Sequence, residues 1–328
     1  MTLNTKENAF LTDGVRTVKR LGHIGILMGG YSSEREISLH SGHAVFTALK
    51  AAGCQITAVD ITSDDEDKIF DMIKKVDMDV AFITLHGRLG EDGTIQSLLE
   101  KAQIPYPGSG VASSRLAINK AKTQSLLKSK NIPVAEHVVF QNASRLKVQE
   151  IWKSLPLPVV VKPSCEGSSI GITLVAEKKH LEVAIQEAFR YGKEVLVERF
   201  IQGKELTVGI LAEEPLPIVE ICHQNKFFDF TSKYKSGTTQ YIVPARIDEQ
   251  IARKVQSLAL DAHQALGCED FSRIDIMLDE NSNPYVLEVN TIPGFTARSL
   301  LPKAALAQGI DFTQLCLQLV ELAYEKKK

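Results

Sequence analysis

Several things are missing from this chain of 328 residues. No apolar run approaches the roughly 18 residues that a membrane-spanning helix needs. The opening stretch, MTLNTKENAFLTDGVRTVKRLG, holds no apolar core of signal-peptide length, and residues 1–20 read as a poorly ordered extension or a peripheral helix. Strong charge is absent too. A formal net charge of −2 gives no overall pull toward nucleic acid or an anionic membrane. The cysteines (Cys54, Cys165, Cys222, Cys268 and Cys316) show no CxxC spacing, and their odd number fits a reducing cytoplasm better than a disulfide framework. There is no internal repeat, no low-complexity tract and no GxxxxGK[ST] phosphate loop. What remains, 44% hydrophobic and 24% charged residues, is ordinary for a soluble globular enzyme of two or three domains.

The first third alternates. HIGILM (23–28) is a short apolar strand, followed by Gly29-Gly30 and a helical stretch that begins with Ser33 and Glu36 at capping-box spacing and stops at Gly53. The strand QITAVDI, a helix near 64–76, the strand DVAFITLHG and the helix EDGTIQSLLEKA follow. This βαβαβ order predicts a parallel sheet covered by helices. Its working loops should be GGYSSERE and LHGRLGEDG, at the carboxyl ends of strands. From about residue 113 the character changes. SSRLAINKAKTQSLLKSKNI reads as one basic helix, and PLPVVVKPS and ITLVAEK as strands around CEGSSIG. EVLVERFIQGKELTVGILAE gives further strands, residues 223–243 suit a lid, and an amphipathic helix closes the chain. The expected fold is α/β, becoming α+β in the C-terminal half. Its expected parts are an extension (1–20), an α/β domain (21–115) and two further domains (116–201 and 202–328).

SRIDIMLD (272–279) and VLEVN (286–290) are strand candidates joined by a turn-rich ENSNP. With Glu280–Asn283 as a four-residue loop, Asp275 faces Glu288 and Arg273 faces Asn290. Two carboxylates opposed on one sheet face repel, so something positive belongs between them. Arg273 could supply it in a salt-bridged face. A divalent cation could also supply it, and an all-oxygen donor set of Asp, Glu and Asn suits Mg²⁺ or Mn²⁺ rather than zinc.

Other positions carry chemistry less specifically. SCEGSSIG (164–171) could wrap phosphate with amides and hydroxyls while Lys162 adds charge; an ordinary hairpin turn with a surface lysine reads equally well. GSGVAS (108–113) only faintly resembles a dinucleotide fingerprint. Lys120 lies on the basic helix and Glu198 ends an apolar strand. Glu34 and His86 occupy the two N-terminal loops, where a dipole-complementing Glu and a structural His are the plain alternatives. Cys165 is the cysteine whose reactivity is worth testing, against a role as spacer in the turn.

Taken in order, GGYSSEREISLHSG, LHGRLGEDGTIQ, IPYPGSG, VVVKPSCEGSSIGI, LVERFIQGKELTVGIL, DFTSKYKSGTTQY, SRIDIMLD and LEVNTIPGFTARSLLPKAA resemble the D-alanine:D-alanine ligases of the ATP-grasp superfamily over about residues 22–315. The resemblance implies an α/β substrate domain followed by two nucleotide-clamping domains. It implies ATP and two Mg²⁺ or Mn²⁺ ions, with Asp275, Glu288 and Asn290 as metal ligands. Lys120, Lys162 and, from the lid, Lys233 would meet phosphate, while Glu198, Ile201 and Glu205 would hold adenine and ribose. Glu34 would bind the ammonium of a first D-alanine and join Ser168 and Tyr234 in closing the lid. Arg273 and the Gly294 amide would stabilise an oxyanion. Ser299 and the Leu300 amide would hold the carboxylate of a second D-alanine, with His86 nearby. The partners implied are two D-alanine molecules and a second copy of the chain, in the cytoplasm, with no nucleic acid and no membrane. A D-alanine:D-lactate or D-alanine:D-serine ligase on the same scaffold, or an inactive ATP-binding regulator, are the alternatives; Tyr234 argues against the lactate version, which carries Phe there in a subset of such enzymes.

Overall fold

The computed structural model describes residues 21–142, 151, 154–222 and 239–326. The N-terminal extension 1–20, Lys233, Tyr234 and most of the predicted lid lie outside the described residues. The chain falls into two compact units. One ends at Val111 and resumes at Ile292; the other is Ala112–Thr291.

In the first unit, β1 (His23–Gly29), α1 (Arg35–Ala51), β2 (Gln55–Ile61), α2 (Glu66–Lys74), β3 (Val80–Ile83) and α3 (Thr94–Ala102) alternate as expected. The three strands are parallel in the order β2-β1-β3. Ile24, Ile26, Leu27 and Met28 of the central strand are all buried, the pattern of a strand covered on both faces. The chain leaves β1 for one side and returns to the other, so the loops after β1 and β3 flank one crevice. The expected capping box at Ser33 is not formed: Glu34 is the N-cap residue and makes no side-chain capping bond. The Ser32 hydroxyl orders the turn before the helix, accepting the Glu34 N–H at 3.2 Å and donating to the His86 carbonyl at 2.9 Å.

The second unit opens with α4 (from Val111 to Ala117) and α5 (Lys120–Ser129). The single basic helix expected here is two. Asn119 interrupts it, its side chain accepting the Lys122 N–H at 2.9 Å as an N-cap does. Next come β4 (His137–Phe140), β5 (Val159–Pro163), β6 (Thr173–Val175), α6 (Leu181–Ala188) and β7 (Val195–Arg199). These strands form an antiparallel sheet in the order β4-β7-β5-β6, with α6 packed on its apolar face. A second antiparallel sheet follows: β8 (Gly203–Leu211), β9 (Glu214–Pro215), β10 (Val219–Cys222), β11 (Gln240–Ile242), α7 (Glu249–Ala265), β12 (Phe271–Asp279) and β13 (Pro284–Asn290). Its path is β11-β10-β8-β12-β13, with β9 paired to β8 and α7 covering the face of Val208, Ile274, Ile276 and Val286.

The closing helices, α8 (Leu300–Ala307) and α9 (Phe312–Glu325), belong to the first unit. Asp311 and Gln314 form a reciprocal capping box that starts α9. Phe295 is wedged between Phe82 and Phe312, with ring centroids 5.4 and 5.9 Å away. Among the described residues no helix is long and apolar enough to cross a membrane.

Gly203 begins β8 where it runs against the end of β12. A Cβ built there would lie 1.9 Å from the Leu278 carbonyl oxygen, and the backbone φ is +156°. Neither obstacle is a side chain that can swing away. Gly203→Ala should therefore destabilise the fold by about 2–3 kcal/mol, read as a lower denaturant midpoint at unchanged slope. A midpoint equal to that of the parent would show that the strand end gives way freely.

Candidate active site

The site begins at the β12–β13 hairpin. Ser282, with φ +62°, lets the turn close with three residues, and the Asp279 N–H donates to the Asn283 carbonyl at 3.0 Å. The loop is one residue shorter than expected, and near the turn the pairs are Met277 with Tyr285 and Ile276 with Val286. A bulge then intervenes: Ile276 faces Val286, but Asp275 faces Glu288, so Leu287 has no opposite residue. The extra residue cancels the missing one. Asp275–Glu288 and Arg273–Asn290 are the pairs formed, as the sequence predicts. The bulge also shifts side-chain phase. Val286 and Val289 both enter the core under α7, while Leu287 and Glu288, although consecutive, both line one cavity.

That cavity lies within the second unit. Its walls are Val160, Ile172, Ile201, Met277 and Leu287, and its polar groups include Lys120, Lys162, Glu198, Glu205, Asp275 and Glu288. Each polar group arrives by alternation or helical spacing. β5 sends Lys162 and Val160 to the cavity and Val159 and Val161 to the core. On β8, Glu205 and Thr207 stand opposite Met277 and Asp275. Lys120 lies in the first turn of α5. The loop 164–171 is stitched to that helix start, since the Ser164 hydroxyl donates to Asn119 at 3.0 Å and accepts the Ala121 N–H at 3.1 Å. In this loop Ser168 and Ser169 have φ of +49° and +59°, a strained pair of the kind found where a loop is shaped for a ligand.

The cations and carboxylates of this cavity are paired. Lys162 donates to Glu198 at 2.6 Å, both side chains being about 95% buried. Lys120 donates to the Glu166 carbonyl at 2.7 Å and lies 3.1 Å from Glu288. Arg273 grips Asp275 with a fork of 2.9 and 2.7 Å, Thr207 donates to the same carboxylate at 2.6 Å, and the Asn290 amide donates at 3.2 Å. Desolvation opposes ionisation of Glu288, but Lys120, Lys162 and Arg273 outweigh it and hold the carboxyl far below the ordinary range, at about 2. The salt-bridged alternative is thus realised at Asp275. It leaves Glu288, about 30% exposed, facing the cavity. Among the described residues no group of three His, Cys, Asp or Glu side chains is arranged to hold a metal. The set here is two carboxylates and one amide, and its donor chemistry fits a hard divalent cation.

The first unit gathers a second group. Gly87 follows β3 with φ +63°, and a Cβ there would sit 2.7 Å from a Glu34 carboxylate oxygen, so the loop after β3 must be bare where it meets Glu34. His86 is buried, with Nδ1 3.5 Å from Glu91 and Nε2 3.3 Å from the Ser41 hydroxyl. That hydroxyl also accepts the Phe295 N–H at 3.2 Å. A Cβ on the neighbouring Gly294 would lie 3.3 Å from Ser299 Oγ, and Leu300 begins α8 beside it. Glu34, His86, Gly294, Ser299 and Leu300 therefore belong to one unit, whereas Ser168 and Arg273 belong to the other.

Sequence reading did not find Thr207, Gln124 or the Met277–Leu287 floor. Thr207 had a signal: it is two residues from Glu205 and falls opposite Asp275 once β8 and β12 are aligned. Leu287 had none, because its cavity position depends on the bulge.

The second unit, in which two antiparallel sheets and a helix bring lysines and carboxylates to one cavity, has the ATP-grasp fold, and the first unit has a parallel α/β sheet. A family model for the C-terminus of D-Ala–D-Ala ligase matches residues 126–321, and one for its N-terminus matches 64–109. The D-alanine–D-alanine ligases of Geotalea uraniireducens and Trichlorobacter lovleyi are 46% and 45% identical over 92% and 90% of this chain, covering 95% and 93% of their own lengths. The crystal structure of the Bacillus anthracis D-alanine–D-alanine ligase complexed with ATP superposes with a TM-score of 0.83 at 32% identity, over 93% of this chain and 98% of that one. The VanG D-Ala:D-Ser ligase of Enterococcus faecalis gives 0.80 at 32% identity, over 92% and 99%. The chain belongs to the D-alanine–D-alanine ligase family.

Cys165 stands exposed in the 164–171 loop. Desolvation and the Glu194 carboxylate raise its thiol above the ordinary value, and Lys120 offsets them only partly. A raised thiol sheds its proton only at higher pH, so little of it is nucleophilic thiolate at pH 7. Alkylation of Cys165 by iodoacetamide should be slow at pH 7 and still accelerating beyond pH 9. A rate that levels off below pH 8 would contradict this environment.

Proposed function

We propose that this protein is an ATP-dependent ligase that joins two D-alanine molecules into D-alanyl-D-alanine for peptidoglycan precursor synthesis, releasing ADP and phosphate. It works in the cytoplasm as a homodimer, with neither nucleic acid nor membrane as partner. The observation that carries the reading is the cavity in which Lys120 and Lys162 stand with Asp275 and Glu288, with Asn290 hydrogen-bonded to Asp275, in a chain whose relatives are D-alanine–D-alanine ligases.

The carboxylate of one D-alanine attacks the γ-phosphate of ATP. Both are anions, so the repulsion must be offset before the oxygens can align. Lys120, Lys162 and, from the lid, Lys233 supply protein charge to the phosphates. Asp275, Glu288 and Asn290 would hold two Mg²⁺ or Mn²⁺ ions, which would supply Lewis acidity and charge neutralisation. The all-oxygen character of these donors supports that role, and Glu288 faces the cavity with its carboxyl held at about 2 by the surrounding cations. Arg273 exchanges its grip on Asp275 for the oxyanion formed when the second D-alanine's amino group attacks the acyl phosphate. The Gly294 amide completes that oxyanion site.

Ile201, Met277 and Leu287 offer adenine an apolar bed, with Glu198 toward its amino group and Glu205 toward the ribose. Glu34 takes the ammonium of the first D-alanine. Ser299 and the Leu300 amide take the carboxylate of the second, with His86 close by. Ser168 and Tyr234 tie Glu34 to the closed lid, which keeps water from an acyl phosphate that it would hydrolyse. A D-serine-specific second site is the alternative, favoured by the likeness to the D-Ala:D-Ser ligase.

With ATP, Mg²⁺ and an equimolar mixture of D-alanine, D-serine and D-lactate, mass spectrometry should find D-alanyl-D-alanine as the main product. A dominant D-alanyl-D-serine or D-alanyl-D-lactate would replace the reading with its alternative, and phosphate release independent of D-alanine would remove it. Glu288→Gln should lower kcat by a factor on the order of 10² or more while far-UV circular dichroism keeps the parent's shape; melting at neutral pH should fall, because the amide no longer balances Lys120, Lys162 and Arg273, which hold the native carboxyl at about 2. Turnover at the parent rate would dismiss Glu288 as a ligand.

A further inference from the structure

We infer that Gln124 is the positioning residue that sets the choice of nucleotide base; the inference rests on the proposed seat of adenine beside Glu198. Gln124 is fully buried on α5, one helical turn after Lys120, so both side chains leave the same face of the helix. Lys120 reaches Glu288 and Gln124 reaches Glu198, whose carboxylate it meets with Nε2 at 2.9 Å. The same nitrogen lies 3.5 Å from the carbonyl oxygen of Leu287, the bulge residue. One amide thus spans from the strand that carries Glu198 to the bulge that forms the apolar floor.

The orientation of this amide follows from its neighbours. Both nearby groups are acceptors, so the nitrogen must face them, and a flipped amide would press oxygen against a carboxylate. The cost is visible on the other side, where Gln124 Oε1 is buried without a hydrogen-bond partner. An unmet buried acceptor is costly to retain, which asks for a return. The return is a fixed Glu198. Lys162 holds one of its oxygens at 2.6 Å and Gln124 the other. Both of its oxygens accept hydrogen bonds, so what the group presents to a ligand is an acceptor. It welcomes the exocyclic amino group of adenine and rejects a purine with an oxygen at that position. Without Gln124, one oxygen loses its tether and the group can pivot about Lys162, so discrimination should fall.

The test compares ATP with ITP, which differs from it only by carrying a 6-oxo group, with its N1–H, in place of the 6-amino group. Gln124→Met keeps length and burial but has no donor, and Gln124→Asn withdraws the amide by one methylene. In both, the ratio of kcat/KM for ATP to that for ITP should fall about tenfold, mainly through a higher KM for ATP, and the ratio of Kd for IDP to that for ADP by calorimetry should fall in parallel. Each ratio is taken within one protein, so a reduced folded fraction cancels. Glu198→Gln separates this inference from the reading beneath it. If Glu198→Gln collapses the ratio and both Gln124 variants keep it, Gln124 has no part in base choice. If Glu198→Gln also keeps it, adenine is not read at Glu198 and both ideas fall.

Discussion

The structure turns on two carboxylates that the sheet sets face to face. Asp275 and Glu288 are paired across β12 and β13, on the side away from the α7 core. In water two such groups would simply be unfavourable neighbours; on a half-buried sheet face they demand cations. Arg273 comes from two residues along the same strand, Lys120 from the first turn of a helix, and Lys162 from the other sheet. Every element that approaches the cavity contributes to one electrostatic balance. The lowered pKa of Glu288 records it, since desolvation alone would have moved that group the other way.

The geometry behind that balance depends on an irregularity. A regular β13 would send Val286, Glu288 and Asn290 to the same face. Either the acids would enter the core or the valine would leave it. The bulge at Leu287 resolves the conflict by changing phase within the strand. It also puts an apolar side chain directly beside a charged one, which is what a site for a flat apolar base joined to a charged tail requires.

Much of this was legible in the sequence. Period-two patterning gave the Asp275–Glu288 and Arg273–Asn290 pairs, and the βαβαβ order gave the parallel sheet. The pairing prediction succeeded through two compensating differences: the turn is one residue tighter than its composition suggested, and the bulge restores the offset. Hydrophobic pattern reports which faces are buried but not where a residue is skipped, so the bulge itself was invisible. The Asn119 break failed for a related reason. SSRLAINKAKTQSLLKSKNI holds helical periodicity throughout, and an asparagine reads as an interior residue until its side chain is seen capping the next helix. Gln124 and Thr207 were missed because neither bears charge. The importance of Gln124 lies in what it holds, a tertiary fact with no local signature, whereas Thr207 shows itself once β8 is aligned against β12.

The paired charges are not best understood as a source of stability. A buried pair such as Lys162–Glu198 recovers its desolvation cost only with good geometry and further hydrogen bonds, and apolar residues of similar volume would often serve the fold as well or better. Here the further hydrogen bond comes from Gln124, which leaves its own oxygen unmet in giving it. The 164–171 loop adds two consecutive serines in left-handed backbone. Several such local costs meet at this cavity: a buried ion pair, an unmet amide oxygen and, in its lining, the left-handed Ser169. Selection for stability alone would remove such features one by one. Their co-occurrence around opposed carboxylates is the physical mark of a site kept for what it binds, and it would mark this cavity even if no relative of the chain were known.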